Sequence, residues 1–510
     1  MKNLKYIYIS LGVLAFTACN DLEDVDLEPE VMAEELPALT AGSADFSNYV
    51  SLGNSLTAGF TDGALFQASQ NLSLPNLLSQ KFSLVGGGSF VQPLTNDNLG
   101  GLALAGTRIQ EPRLVFGGAG PVPLESVIGP VTVSTDIALN NPTGPFNNLG
   151  VPGAKSFHLL APGYGNITNV QLGLANPFFV RMTGSTPDIS VLQMAASQAP
   201  SFFSLWIGNN DVLGYATSGG DGTNPITPVS GVPGVGFDGS YGALIATLTA
   251  GGAKGVVANI PNVVDIPHFT TVPHNPVPLD AATAAAVNGA YAAYNGGLQA
   301  AFAALAGTGL LTQEEVDART ISFVAGAGNA VVIEDETLTN LGAINPAFAA
   351  LPQIRQATAD DLLVLPASSF IGTLAVPGNP LSVNGVAIPL ADKWVLLPSE
   401  QEEIAVATAA FNEVIANVAS QAGLALVDAN SLLNQLANGG ITSGDFTLTS
   451  NLVMGSAFSL DGVHPTARGY ALLANEFMKA IDVTYGSNFE ASGNLLNVGD
   501  YPTNFSPALQ

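Results

Sequence analysis

Short apolar runs closed by glycine or proline recur along this chain. Tyr49–Leu52, Ser201–Ile207, Gly255–Ile260 and Leu424–Val427 have the length and composition of buried strands. Helical periodicity marks residues 75–82, 241–248, 399–422 and 466–481, and Ser399 with the acids that follow it forms a helix-start signal. Strands alternating with helices predict a parallel sheet covered by helices. Two stretches break the alternation. Residues 86–144 are dense in Gly, Pro and Asn and read as loops and small strands leaving the core. Residues 267–398 hold an Ala-rich helix at 279–305 and strand candidates at 330–333 and 362–365 between Pro- and Gly-rich joints, and read as an insertion. The tail has turn composition and reads as peripheral. There is no internal repeat, heptad pattern or transmembrane-length apolar run.

Composition narrows the function classes. The 510 residues carry 40 Asp plus Glu against 13 Lys plus Arg, a net charge of −27, which argues against a grip on phosphate backbones and excludes nucleic acid as a partner. Only 10% of residues are charged while 47% are hydrophobic, so the acidity belongs to a folded protein with a large core rather than to a disordered acidic chain.

The N-terminus reads as an address. Lys2 and Lys5 precede an apolar stretch from Ile7 to Phe16, too short to span a bilayer, which ends in Thr17-Ala18-Cys19. Cys19 is the only cysteine, which excludes an intramolecular disulfide. Placed at the cleavage point, it resembles the lipidated cysteine of a bacterial lipoprotein signal. The acidic stretch from Asn20 to Glu30 resembles the tether of surface-exposed lipoproteins. The expectation is a signal peptide at 1–18, a tether at 19–45, and lipid anchoring in the cell envelope, on the outer membrane.

Candidate chemistry centres on Gly53-Asn54-Ser55-Leu56. The glycine ends an apolar strand and delivers Ser55 into a turn at the strand's carboxyl end, where parallel α/β sheets bind ligands. A serine nucleophile needs a base and a group to orient it. Of four histidines, His464 alone follows an acid at a short fixed offset in a loop opening a helix, Asp461-Gly-Val-His464-Pro465. Asp265, His268 and His274 lie near one another in sequence, but their spacing fits no standard metal site. Oxyanion donors would come from the Ser55 N–H, a glycine N–H in Asn148-Leu-Gly150-Val-Pro-Gly153, and the Asn210 amide in Gly208-Asn-Asn210-Asp211. Asn210 reads equally as a turn cap. No Gly-x-Ser-x-Gly elbow is present.

In this order the four blocks resemble the SGNH (GDSL-like) hydrolase family, over roughly residues 46–481 with 267–398 poorly matched. The resemblance implies a three-layer α/β/α sandwich with a mostly parallel, flavodoxin-like sheet and large insertions, filling a hydrolase domain at 46–485 with a tail at 486–510. It implies a serine esterase or lipase-type hydrolase working through an acyl-enzyme on Ser55, with His464 as general base and acid, Asp461 orienting it, and Gly153, Asn210 and the Ser55 N–H as oxyanion donors. Neither metal nor cofactor is implied. Substrates would be small-molecule, lipid or acylated-glycan esters. The family usually has Asp where this chain has Asn54, which bears on turn stability more than on chemistry. A rival reading is a non-catalytic surface lipoprotein that binds glycan or lipid on the same scaffold.

Overall fold

The computed structural model describes residues 36–379 and 381–510. The signal peptide, Cys19 and most of the tether therefore lie outside the described residues. Residues 39–510 form one compact unit.

At its centre are five parallel strands: β1 (Tyr49–Gly53), β2 (Asn148–Gly150), β3 (Phe202–Trp206), β4 (Lys254–Ala258) and β5 (Ala425–Val427). Their spatial order is β2-β1-β3-β4-β5. This is a doubly wound order, whose reversal point lies between β1 and β3. The registers pair Gly53 with both Gly150 and Trp206, so the chain leaves these three strands at one level.

The strands other than β5 are buried on both faces because both are covered, while β5 at the edge exposes Leu426. Val50, Leu52, Phe203, Leu205 and Val257 pack into one core, while Tyr49, Phe202, Trp206, Val256 and Ala425 pack into another. On the first face lie α3 (Val191–Ala196), α5 (Phe237–Thr249) and α7 (Pro398–Ala422); on the second lie α2 (Leu74–Phe82) and α9 (Ala467–Tyr485). Right-handed crossovers oblige the connecting helices to change face where strand order reverses. Here α2 follows β1 on one face, and the helices between β2 and β5 take the other. The result is a three-layer α/β/α sandwich. Inside the second face a polar chain links Tyr49 Oη, Ser204 Oγ and Ser51 Oγ at 2.7 and 2.8 Å, satisfying three hydroxyls that burial would otherwise strand.

Residues 267–398 add no strand to this sheet. They carry α6 (Ala281–Ala304) and small antiparallel pairs, including Val332–Glu334 with Ile354–Gln356 and Leu362–Leu363 with Val395–Leu396. Their core continues the first face through Val287, Tyr291, Ile333 and Leu390. The tail is not peripheral. Phe489 and Val498 are fully buried. The guanidinium of Arg113, itself buried, donates to the carbonyls of Phe505, Ser506 and Leu509, and Phe505 packs edge-on against Phe66.

Candidate active site

The site forms where β1, β3, β4 and β5 end. Gly53 must be glycine: a Cβ there would sit 2.2 Å from Thr57 Oγ1 and 2.4 Å from the Trp206 carbonyl oxygen, and without one the chain turns directly into α1 (Ser55–Ala58). Asn54 caps that turn, its Oδ1 accepting from the Leu56 N–H at 3.0 Å. Its amide then donates across the switch point to Asn209 Oδ1 at 3.2 Å. Asn209 opens α4 (Asn209–Thr217), so the turn holding Ser55 is tied to the one holding Asn210. An aspartate at position 54 would keep the cap but lack the donor that Asn209 Oδ1 receives.

Asn210 donates from Nδ2 to the Ala154 carbonyl at 2.9 Å. The next residue, Asp211, is buried and accepts from both the N–H and the hydroxyl of Ser156, at 2.8 and 2.7 Å. Burial raises its pKa, and those bonds oppose the shift. Together they hold the loop that follows β2 against α4. Gly153, in that loop, has a φ of +80° and is exposed; its neighbour Ala154 is the one that touches Asn210.

Asp461 and His464 meet as their shared loop demands. His464 Nδ1 lies 2.8 Å from Asp461 Oδ2. The carboxylate also accepts the N–H groups of Val463 and His464 and the Ser459 hydroxyl on Oδ1, and the Gly63 N–H on Oδ2. Burial alone would raise its pKa, but the charge and hydrogen bonds of His464 with these N–H groups hold it well below the usual carboxylate range. Asp461 is thus an ionised anchor for the imidazole, which it holds through Nδ1. The His464 ring packs against Phe60, with centroids 4.6 Å apart.

Ser55, Asn210 and His464 line one cleft, floored by Leu56, Trp206, Val263, Leu433 and Leu472. Ser55 is buried, and its hydroxyl has no hydrogen-bond partner among the described residues. Such contacts commonly tighten only when substrate is bound. The cleft wall is overwhelmingly apolar, and α8 (Ala429–Ala437) supplies Leu432, Leu433 and Leu436 to it.

Several contributors were not apparent from the sequence. Asp62 and Gly63 grip the far loop: Asp62 accepts from the Leu460 N–H at 3.1 Å and its own N–H donates to Ser459 Oγ. Asp62 adopts a φ of +52°, and its carboxyl is pushed up to about 7, first by burial and then by the charge of Asp461. His268 lies against the same loop, its backbone N–H donating to the Gly462 carbonyl at 2.9 Å, and burial pushes its imidazole down to about 4. The group formed in sequence by Asp265, His268 and His274 is not among the clusters whose ligating atoms converge among the described residues.

No protein-family model matches the chain, and no curated protein matches it. A solved structure of an extracellular lipase from Streptomyces rimosus aligns over 86% of this chain and 99% of that chain, at a TM-score of 0.27 and 12% identity. That likeness is too slight to carry an argument. Among the described residues no helix is long and apolar enough to cross a membrane.

Proposed function

We propose that the protein is a serine hydrolase of carboxylic esters whose acyl or alkyl part is apolar. The observation that carries this reading is the Asp461–His464 pair opening into the same apolar cleft as Ser55 and Asn210, at the reversal point of a parallel sheet. Ser55 Oγ attacks the ester carbonyl while His464 takes its proton through the nitrogen not held by Asp461. The tetrahedral oxyanion is met by the Ser55 N–H, the Asn210 amide and the Gly153 N–H. Collapse breaks the bond to the alkoxide, which leaves with the proton from His464, and an acyl-Ser55 ester remains. Water, deprotonated by His464, then releases the carboxylic acid and returns the proton to Ser55. Asp461 stays ionised throughout.

Reaction with a fluorophosphonate probe tests this directly. Wild-type protein should be labelled at Ser55 and should hydrolyse p-nitrophenyl esters, with kcat/KM rising from acetate towards longer chains. Absence of labelling together with absence of turnover would leave a binding protein on the same scaffold and overturn the proposal.

A further inference from the structure

On the side of the fold where residues 267–398 meet the first turn of α7 and the loop after α4, three carboxylates converge, and among the described residues no basic side chain forms an ion pair with any of them. Glu336 follows the Val332–Glu334 strand, Asp392 ends the insertion, and Glu400 stands in the first turn of α7; one oxygen of each lies within 4.8 Å of the others. Two further facts separate this group from an ordinary acidic surface. Glu400 is only 4% exposed, and its Oε1 is buried with no hydrogen-bond partner, while Oε2 accepts the Leu397 N–H at 2.6 Å. Asp392 Oδ1 is a second buried oxygen with no partner. Unsatisfied buried carboxylate oxygens are costly and call for a partner.

No protein cation fills that role. Among the described residues, none of the three acids takes part in an ion pair, and Lys393, adjacent to Asp392, extends over the Trp394 ring. The surroundings deepen the negative field, since Asp221, Glu334 and Glu403 also act on Asp392 or Glu400. The backbone is cut to fit as well. Gly220, beyond the end of α4, has a φ of +77°, and a Cβ on it would lie 1.9 Å from Glu400 Oε1. The chain approaches the carboxylate as closely as glycine permits.

We propose that Glu336, Asp392 and Glu400 form a calcium site that clamps residues 267–398 to the first turn of α7, against the loop that follows α4. An all-oxygen, carboxylate-rich ligand set selects hard divalent cations. Ca²⁺, bound at about 2.3–2.6 Å, spans ligand atoms as far as about 5 Å apart, whereas Mg²⁺ at about 2.0–2.1 Å requires them within about 4.2 Å and in strict octahedral order. The site is remote from Ser55 in sequence and chemistry, so it acts through the fold: α4 carries Asn210 at its first turn and Gly220 beyond its last.

The test uses the full chain stripped with EDTA and titrated with CaCl₂ or MgCl₂, followed by calorimetry and melting. Because the protein is strongly acidic, diffuse binding is separated from the site by variants. Ca²⁺ should raise the melting temperature by a few degrees and bind at one discrete site more tightly than Mg²⁺. Glu336→Gln and Glu400→Gln should each weaken that site by at least about tenfold and remove the rise. Gln at 400 keeps an oxygen for the Leu397 N–H, and Glu336 is exposed, so at least the latter variant should fold. A melting temperature indifferent to Ca²⁺, an equal response in Glu336→Gln, or tighter binding of Mg²⁺ would overturn the assignment. So would a Glu400→Gln protein that melts higher than wild type in saturating Ca²⁺, for then the buried acid is merely protonated.

Discussion

The side-chain amide of Asn54 donates to Asn209 Oδ1 at 3.2 Å, joining the turn after β1 to the turn after β3. One buried hydrogen bond therefore sets the distance between the serine and the amide that would serve its oxyanion. Removing it should be felt in two ways. Asn54→Ala loses a helix cap, worth about 1 kcal/mol, and strands a buried acceptor, worth about 1–3 kcal/mol. Melting should fall accordingly, and kcat should fall further than stability explains because Ser55 and Asn210 lose their common reference. Asn54→Asp should keep the cap but, with no donor for Asn209 Oδ1, recover only the smaller part of the stability. Equal kcat in wild type and Asn54→Ala, measured well below the melting point, would show that the bond is purely structural.

For the triad, Ser55→Ala and His464→Ala should each abolish nearly all ester turnover, and the double variant should be little worse than either, since the residues act as a unit. Asp461→Asn should be damaging in its own way. The site supplies four donors to the carboxylate besides the imidazole, from Gly63, Val463, His464 and the Ser459 hydroxyl, and an amide cannot accept all of them. A loss of stability should accompany the loss of kcat. Substantial turnover by Ser55→Ala would defeat the mechanism.

The apolar runs that announced β1, β3 and β4 did so because these strands are buried on both faces, and hydrophobicity alone marks such strands, whereas β5 at the sheet edge buries Ala425 and Val427 and exposes Leu426. β2 escapes that signal. It is three residues long with Leu149 its one large apolar side chain, so only the Asn148–Gly153 motif pointed to it. The Asp461–His464 contact was readable because both residues lie in one loop. The contacts of Asp62, Gly63 and His268 were not, because their partners lie at Ser459–Gly462, some two hundred to four hundred residues away in sequence, and half of them are backbone groups with no sequence signature. Leu432, Leu433 and Leu436 do have helical spacing, a pattern that could have placed α8 beside the cleft. The tail misled because Gly- and Asn-rich composition describes its turns, whereas Phe489, Val498 and the carbonyls held by Arg113 decide where it goes.

Asp62 gives the site a pH signature. Its carboxyl is pushed from 3.8 to about 7, burial being the larger cause and the Asp461 charge adding to it. A folded pKa above the unfolded one means that the folded state holds the proton more tightly. The associated stability is fully present below about pH 3.8 and is lost as pH rises towards 7, by up to about 4 kcal/mol. Asp62→Asn cannot ionise, yet it keeps an oxygen for the Leu460 N–H. Its melting temperature relative to wild type should therefore climb between pH 4 and 7 and level off above about pH 8, whatever constant offset the new amide introduces. A difference flat across this range would show that Asp62 titrates normally.

From its basic start, short apolar stretch and sole cysteine after Thr17-Ala18, we propose that the N-terminus is a lipoprotein signal with Cys19 as the anchor. Expressed in a bacterial host that processes lipoproteins, the wild type should fractionate with membranes. Cys19→Ala should move to the soluble fraction with lysate activity unchanged. Membrane fractionation that survives the substitution would remove the anchor.

Asn210 is the residue on which an oxyanion role and a structural role can be told apart. Its Nδ2 donates to the Ala154 carbonyl at 2.9 Å, which uses one amide hydrogen and orients the side chain along the loop after β2. The second hydrogen is the one a developing oxyanion above Ser55 would receive. If it does, Asn210→Ala should lower kcat by about 10²–10³-fold with KM nearly unchanged, because the interaction belongs to the transition state. The Ala154 bond is worth only about 1 kcal/mol to stability, and α4 stays fixed by Asp211 through Ser156, so melting should move little. Asn210→Asp makes the comparison sharper. It can accept but not donate when ionised, so it should lose kcat as severely as alanine at neutral pH. A variant that melts markedly lower yet turns over an activated ester at near wild-type kcat would make Asn210 a loop tether and leave the oxyanion to backbone N–H groups alone.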